Sequence, residues 1–434
     1  MDRERPAVFC AFAWFFCVLG SYSMVRPVRE TMGTLVGREE LKWLFLAGFL
    51  AVCALVPLYA LVVRLVSRRS IARVVFHGFA CSAIVFFLTL RTFSASEHLW
   101  IARVLFVWIS VFGIFSTSVF WSVLADLFNS EQGKRLFGVV ASGGTVGAIV
   151  GALVTSQLAD RFDASWIMLV PAILLECGLV FARRLEIHAR CWRSNKGIGE
   201  NEKEIDHSHS KDGAFFSGVV HVLRSSYLLR LSAFLMLVQA FGTLLYTEQA
   251  SIVKGGISEE EARIQFFAYV DLGSQSLTLL LQLAVSGWLM KRLGIASALL
   301  VLPLIYFSSL LCLSVSPQLM VLAVVMVATR SFAYGVTVPA REVLFTVVSP
   351  EDKYKAKSFI DTVVVRGGDT ISMQFIGLLQ GAGMSLVAMK IAALPIALAW
   401  GGLAWNLGRK QAVLASIPPD LNTEQYSGDA EVNG

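Results

Sequence analysis

Charged side chains stand inside long apolar runs of this sequence, and they are the residues whose chemistry calls for an explanation. Arg26, Arg29 and Glu30 close the first run, around Pro27. Asp271, Arg330, Arg366 and Asp369 lie deep in later runs, while Arg103, Glu176, Arg230 and Lys390 stand in others. A central Arg or Lys in a membrane helix costs about 2.5–3.5 kcal/mol on insertion scales, so it faces protein or a water-filled cavity. Arg230 and Lys390 sit near run ends, where long side chains snorkel to the headgroups, and Arg103 can do the same. In the deep set, with Arg26 and Arg29, arginines outnumber acids. Such a lining favours an anionic solute, because guanidinium suits bidentate binding of carboxylate or phosphate. Asp271 and Asp369 would position the arginines or couple to a cation. A structural alternative stands beside this: Arg366 and Asp369 are spaced i,i+3 and can pair on one helix.

Glycines form a second pattern. Gly143, Gly147 and Gly151 recur every four residues, with Gly138 and Gly144 nearby. Small residues at this spacing let helices approach closely, so helix packing is the expected role. Gating is the alternative, if this helix slides against one from the other half. Gly133-Lys134 has no upstream glycine at Walker spacing, so no phosphate-binding loop is present. Cys10, Cys17, Cys53, Cys81, Cys177, Cys191 and Cys312 show no CxxC spacing, which implies neither a disulfide frame nor a metal site. His207 and His209 lack a third ligand. With no nucleophile or metal constellation, neither an enzyme nor a cofactor is expected.

The elements that must position these residues are membrane helices. Of the 434 residues, 56% are hydrophobic and 16% charged, whereas a soluble chain carries about a quarter charged residues. The apolar blocks are long enough, at 1.5 Å per residue, to cross the hydrocarbon core. In lipid the backbone must bond internally, and these blocks are too long for barrel strands, so they are helices. Spans are read at roughly 7–25, 43–63, 74–90, 99–124, 136–158, 165–181, 226–247, 265–288, 294–315, 319–338, 359–382 and 385–407. The charged start leads into a span rather than a cleaved signal.

Net charge is +6, but the basic residues fall in short loops, which argues against nucleic acid. With the N-terminus inside, cytoplasmic segments hold roughly three times the Lys and Arg of the external loops. Both termini are then expected in the cytoplasm. The fold class is all-α, a polytopic membrane protein of about twelve helices in two pseudo-symmetric six-helix bundles. The expected divisions are residues 1–182 for the first bundle, 183–224 for a cytoplasmic linker, 225–410 for the second bundle and 411–434 for a disordered tail. The halves echo each other at an offset of about 220 residues. Ala125-Asp126-Leu127-Phe128 precedes Glu131, Lys134 and Arg135 as Arg341-Glu342 precedes Lys355, Lys357 and Asp361.

Several stretches carry a family resemblance. Gly287-Trp-Leu-Met-Lys291-Arg292-Leu-Gly294 resembles the glycine-and-basic turn of major facilitator transporters, and Arg64 with Arg68-Arg69 echoes it. Arg26-Pro-Val-Arg29-Glu30 is the first of three further motifs. Phe120-Trp121-Ser-Val-Leu-Ala-Asp126 with Glu131-Gln-Gly-Lys134-Arg135-Leu-Phe137-Gly is the second. Pro339-Ala-Arg341-Glu342, Lys355-Ala-Lys357-Ser-Phe-Ile-Asp361 and Arg366-Gly-Gly368-Asp369 form the third. Together they resemble the nucleotide transporter family of plastid and intracellular-parasite ATP/ADP translocases, within the major facilitator superfamily. The resemblance implies twelve helices and exchange or uptake of nucleotides.

There are departures. Arg29 stands where the exchangers have a lysine, and their span-4 carboxylate has no counterpart in Trp108-Ile109-Ser110-Val111. Their span-10 lysine falls near Ala333, one turn after Arg330, and Asp271 matches an acidic position in span 8. The chain thus resembles divergent bacterial members more than the exchangers.

The expected function is alternating-access transport of an anionic metabolite, with a nucleotide as the best single substrate. Arg26, Arg29, Glu30, Asp271, Arg330, Arg366 and Asp369 are the expected solute site. Asp126, Glu131, Lys134, Arg135, Arg341, Glu342, Lys355, Lys357 and Asp361 are the expected cytoplasmic gating network. The alternatives are a proton-coupled symporter of another solute and a membrane sensor or scaffold whose partner site is the polar middle loop. The expected setting is a monomer in the inner membrane, with the lipid bilayer and a small anion as partners.

Overall fold

The computed structural model describes residues 5–65, 68–93, 98–128, 130–194, 222, 225–348 and 360–416. Among the described residues the regular structure is entirely helical. Among the described residues, twelve helical rods follow in the expected order. The first six are α1 (Arg5–Val36), α2 (Leu41–Leu65), α3 (Arg68–Thr92), α4 (Leu99–Leu127), α5 (Ser130–Arg161) and α6 (Ala164–Ser194). In the second half α7 is Ser226–Gly256, and α8 runs through Glu260–Leu280, a π-helical turn Leu281–Ser286, and Gly287–Arg292. Then come α9 (Gly294–Val315), α10 (Leu319–Phe332, π-helical Ala333–Thr337, Val338–Leu344), α11 (π-helical Ile360–Val364, then Val365–Gly381) and α12 (Leu386–Ala415). Among the described residues nine helices are long and apolar enough to cross a membrane. The apolar stretch Leu41–Leu55 adds a shorter one. The interior of α8 carries the polar Gln265, Asp271, Gln275 and Gln282, and that of α11 carries Arg366 and Asp369. Two helices overrun the expected boundaries: α6 continues past 182 to Ser194, and α12 past 410 to Ala415.

Helix ends follow local chemistry. Gly37 has φ of 94° and donates to the Gly33 carbonyl, closing α1 with a left-handed residue that a side chain would oppose. Gly383, with φ of 85°, ends α11 in the same way. Two residues later the Ser385 hydroxyl accepts from the Ala388 N–H and caps α12.

The chain folds as two compact units. One comprises Met1–Ile205 with Val253–Gln275, the other Asp206–Ile252 with Ser276–Gly434. The hairpin between α7 and α8 therefore belongs to the first unit. At that unit's centre, α1 packs on α4, α5 and α6. Trp14 lies edge-on to Phe76 and Phe120, and Phe15 stacks on Phe120 at 4.2 Å.

The α1–α5 contact is a backbone approach. A Cβ at Gly143, Gly147 or Gly151 would meet the carbonyl oxygens of Phe12, Phe16 and Gly20, so two four-residue ladders face each other. The glycine stripe thus packs on α1 within one unit. Ser23 donates to the Ala148 carbonyl at 2.7 Å and Thr155 to the Met24 carbonyl at 3.2 Å, tightening the same seam. In the second unit, fully buried Trp400 packs against Phe234, Phe241 and Tyr306. There a Cβ at Gly408 would collide with the Ala296 backbone, so α9 and α12 cross just as closely.

Candidate functional site

Four of the seven expected solute-site residues come together in the first unit. Arg26 and Arg29 lie on α1 beside Pro27, and Asp271 lies on α8. Arg26 Nε stands 3.6 Å from Asp271 Oδ2 and 4.0 Å from Glu30 Oε1. Arg29 Nη1 is 3.5 Å from the same Glu30 oxygen. The carboxylates are the buried members, with Glu30 2% and Asp271 1% exposed against 17% and 18% for Arg26 and Arg29. Ionised carboxylates this deep require paired cations, and the two arginines supply them. Arg29 also donates from Nε to Ser110 Oγ at 2.8 Å on α4, and its guanidinium covers the Phe106 ring at 4.4 Å. The hydroxyl, the ring and Glu30 together fix the orientation of Arg29.

The second unit holds the other expected residues. Arg330, on α10 just before the π-helical turn, donates to Gln249 Oε1 at 3.4 Å. Asp369 accepts from Gln239 Nε2 at 2.6 Å, and that amide also reaches the Val365 carbonyl. Tyr306 on α9 lies within electrostatic reach of both Arg330 and Asp369. Arg366 is exposed, and Asp369 is turned toward α7, where the amide of Gln239 meets it.

Other ionisable residues settle as follows. Arg103 binds Glu40 with Nε and Nη2 on one oxygen, at 2.9 and 2.6 Å. Arg230 donates to Asn406 at 2.9 Å. Glu176 meets His77 at 2.7 Å on an exposed face of α3 and α6. Lys390 does not snorkel: it is 2% exposed, 2.8 Å from Glu248 and hydrogen-bonded to the Leu313 carbonyl at 2.9 Å. A nearby buried carboxylate outweighs the pull of the headgroups. Glu248 lies one residue past the expected end of the seventh span, whereas α7 continues to Gly256. Gln239, Gln249 and Ser110 escaped because neutral side chains in an apolar run carry no charge signal.

Of the expected gating network, Arg341 and Glu342 pair at 2.9 Å on α10. Lys355 and Lys357, and the side chains of Asp126, Glu131, Lys134, Arg135 and Asp361, lie outside the described residues.

The hairpin of the first unit has its own polar seam. Arg263, buried at 6% exposure, donates to the Ile257 carbonyl at 2.8 Å and to the Thr34 hydroxyl at 3.3 Å. Lys254 reaches the Leu35 carbonyl, and Gln265 reaches Asp160. Glu260, in the first turn of α8 before the span read from 265, has its carboxyl pushed up to about 7. Burial is the main cause and the neighbouring Glu261 the second, with Arg263 opposing them.

Charged groups held inside paired helical bundles suit the movement of a polar solute across a membrane. The fold points the same way. A bacterial homologue of the iron transporter ferroportin, solved in an inward-facing state, matches with a TM-score of 0.63 at 11% identity, covering 94% of this chain and 98% of its own. A bacterial homologue of the lysosomal transporter Spinster matches at 0.55 and 15%, covering 94% and 98%. The nucleoside transporter NupG matches at 0.53 and 13%, covering 96% and 100%. No curated protein matches the chain in sequence. The family model of the Major Facilitator Superfamily spans residues 8–372. These helices are therefore a multi-pass transporter fold, and the chain belongs to the Major Facilitator Superfamily.

Proposed function

We propose that this protein is a secondary transporter of an anionic metabolite working by alternating access, and that a nucleotide is its best single substrate. The observation that carries the reading is the pair of interior arginines, Arg29 and Arg330, each hydrogen-bonded to a neutral side chain. A guanidinium presents its donors in a planar fork that matches the oxygens of phosphate or carboxylate. The nucleotide assignment rests on the resemblance of the motifs around Arg29, Asp126 and Arg366 to the translocases.

In this reading the moving bodies are the six-helix halves 1–182 and 225–410, joined by the 183–224 linker. Both termini face the cytoplasm and the protein works as a monomer in the inner membrane. The test is uptake into proteoliposomes of labelled ATP, ADP and other organic anions. Saturable uptake that falls in Arg29→Ala and Arg330→Ala supports the reading. If no anion moves, or if both variants transport normally, the assignment is wrong.

A second reading, proton-coupled symport of another solute, is favoured by the two buried carboxylates around Arg26. Uptake driven by an imposed pH gradient, and lost in Asp271→Asn, separates it from strict exchange.

A further inference from the structure

In the second unit, α9 and α12 run antiparallel and leave a groove on their outer face. A Cβ at Gly408 would collide with the Ala296 backbone, and one at Gly401 would stand 3.2 Å from Leu300 Cδ1. At those two positions the neighbouring helix fills the space. At Gly402 it does not, since a Cβ there would meet nothing within 4 Å. The missing side chain opens a groove of about 280 Å³, walled by Leu300, Pro303 and Phe307 of α9 and by Leu398 and Trp405 of α12. Both helices are long and apolar enough to cross a membrane, and Leu398 and Trp405 are 58% and 44% exposed, so the groove opens outward.

One end of the groove is basic. Leu398, Gly402, Trp405 and Arg409 are spaced i, i+4, i+7 and i+11, which places them along one stripe of α12. From Leu398 to Arg409 the helix rises about 16 Å. That is close to the depth of one leaflet, half of a hydrocarbon core of about 30 Å. Trp405 stands one turn before Arg409, and tryptophan is enriched where hydrocarbon meets headgroups. Because Gly408 packs on Ala296, the end of α12 that bears Arg409 and Lys410 lies beside the start of α9, which Lys291 and Arg292 precede. Lys291, Arg292 and Arg409 are exposed. Arg230 of α7 reaches the same end through its bond to Asn406. No acid stands in 287–300 or in 398–416, so neither segment neutralises the cluster.

We propose that this groove is a binding site for one anionic phospholipid, with an acyl chain along Gly402 and the phosphate on Arg409 and its basic neighbours. The groove alone would accept any lipid chain or an apolar helix, and the cluster alone would accept free phosphate. A molecule that joins a chain to an anionic head over the depth of one leaflet satisfies both. Guanidinium matches phosphate oxygens with a bidentate fork, and basic pockets between membrane helices hold anionic headgroups. The site uses none of the interior arginines and does not depend on which solute the protein carries.

The test is photolabelling of the full-length protein in phosphatidylcholine nanodiscs. Two trace probes carry the same photoreactive acyl chain, one on phosphatidylglycerol and one on phosphatidylcholine, and mass spectrometry locates the labelled peptides. The phosphatidylglycerol probe should label 300–307 and 398–405 about 10-fold more than the other probe, given the pull of several basic residues on one anionic head. Unlabelled phosphatidylglycerol should displace it, and inorganic phosphate should not. Arg409→Gln should lower the labelling about 5-fold, the value of one basic residue at an anionic lipid, while Arg409→Lys keeps most of it. Gly402→Trp fills the groove and should remove the label. If that variant fails to fold, Arg409→Gln, at an exposed position, carries the test. Equal labelling by the two probes, or labelling unchanged in Arg409→Gln, overturns the proposal. Displacement by inorganic phosphate overturns the lipid as occupant. Cross-linking of Leu398→Cys between two copies, with no lipid label in the groove, assigns the face to a dimer contact and overturns it as well.

Discussion

Arg29 donates to Ser110 at 2.8 Å, joining α1 to α4, and the contact reappears in the second half with its charge on the opposite helix. The positions about 220 residues after Arg29 and Ser110 are Gln249 and Arg330. These bond at 3.4 Å, now with the arginine on the α4-equivalent helix, α10, and the neutral partner on α7. A duplicated fold brings the same two positions into contact in each unit. One donor-rich and one acceptor side chain satisfy the contact whichever helix supplies which. Each unit thus contributes one arginine from a matched place.

The first prediction follows from that arrangement. Arg29→Ala and Arg330→Ala should each lower the initial rate of labelled ADP uptake about 10- to 100-fold, the value of a charged hydrogen bond or two. Arg→Lys at either position should recover only part of the rate, because a lysine keeps the charge and loses the bidentate fork. Full activity in the lysine variants would show that charge alone matters.

A second prediction concerns the α1–α5 seam. Gly147→Ala places a methyl group against the Phe16 carbonyl, where backbone rather than a movable side chain must yield. The expected cost is about 1–3 kcal/mol or more, read as a lower melting temperature. Gly138→Ala on the same helix meets nothing within 4 Å. It should be neutral or gain up to about 1 kcal/mol from helix propensity. Equal effects at the two sites would remove the packing account.

Much of this was legible in the sequence, and the exceptions have physical causes. Apolar run length locates the described helices, nine of which are long and apolar enough to cross a membrane, because the backbone has no other way to cross lipid. The glycine ladder of α5 was legible as a close crossing, but not that α1 is its partner. Arg366 and Asp369 are legible as charges in a span, but the amide of Gln239 that donates to Asp369 is not. Lys390 does not snorkel as its place near a span end suggests, because that place says nothing about a carboxylate on another helix. The π-helical turns of α8, α10 and α11 left no readable mark, since one extra residue in a helix changes no composition.

Stability should depend on pH through Glu260. Its carboxyl is raised from 4.5 to about 7, with burial as the main cause and Glu261 the second. Between those values the folded chain holds a proton that the unfolded chain has released, so stability falls as pH rises through this window and levels off above it. Glu260→Gln removes the group. It should raise the melting temperature near pH 8 and change it little near pH 5, at about the limits of the window. A shift of the same size at both pH values would contradict the linkage.

The hairpin between α7 and α8 offers the last test. It is held to the first unit by the buried Arg263, whose guanidinium bridges the Ile257 carbonyl and the Thr34 hydroxyl. Removing this side chain leaves both acceptors without that charged donor, a loss of about 1.5–3 kcal/mol per bond. Local opening is governed by such local free energies, so Arg263→Ala should speed amide exchange about 10- to 100-fold in the segment around Ile257 and at the end of α1. Lys254→Ala is the control: its ammonium is exposed and makes a single 3.3 Å contact with Leu35, so exchange should change little. If Arg263→Ala left exchange unaltered while Lys254→Ala raised it, the hairpin would be held by the exposed lysine rather than by the buried guanidinium.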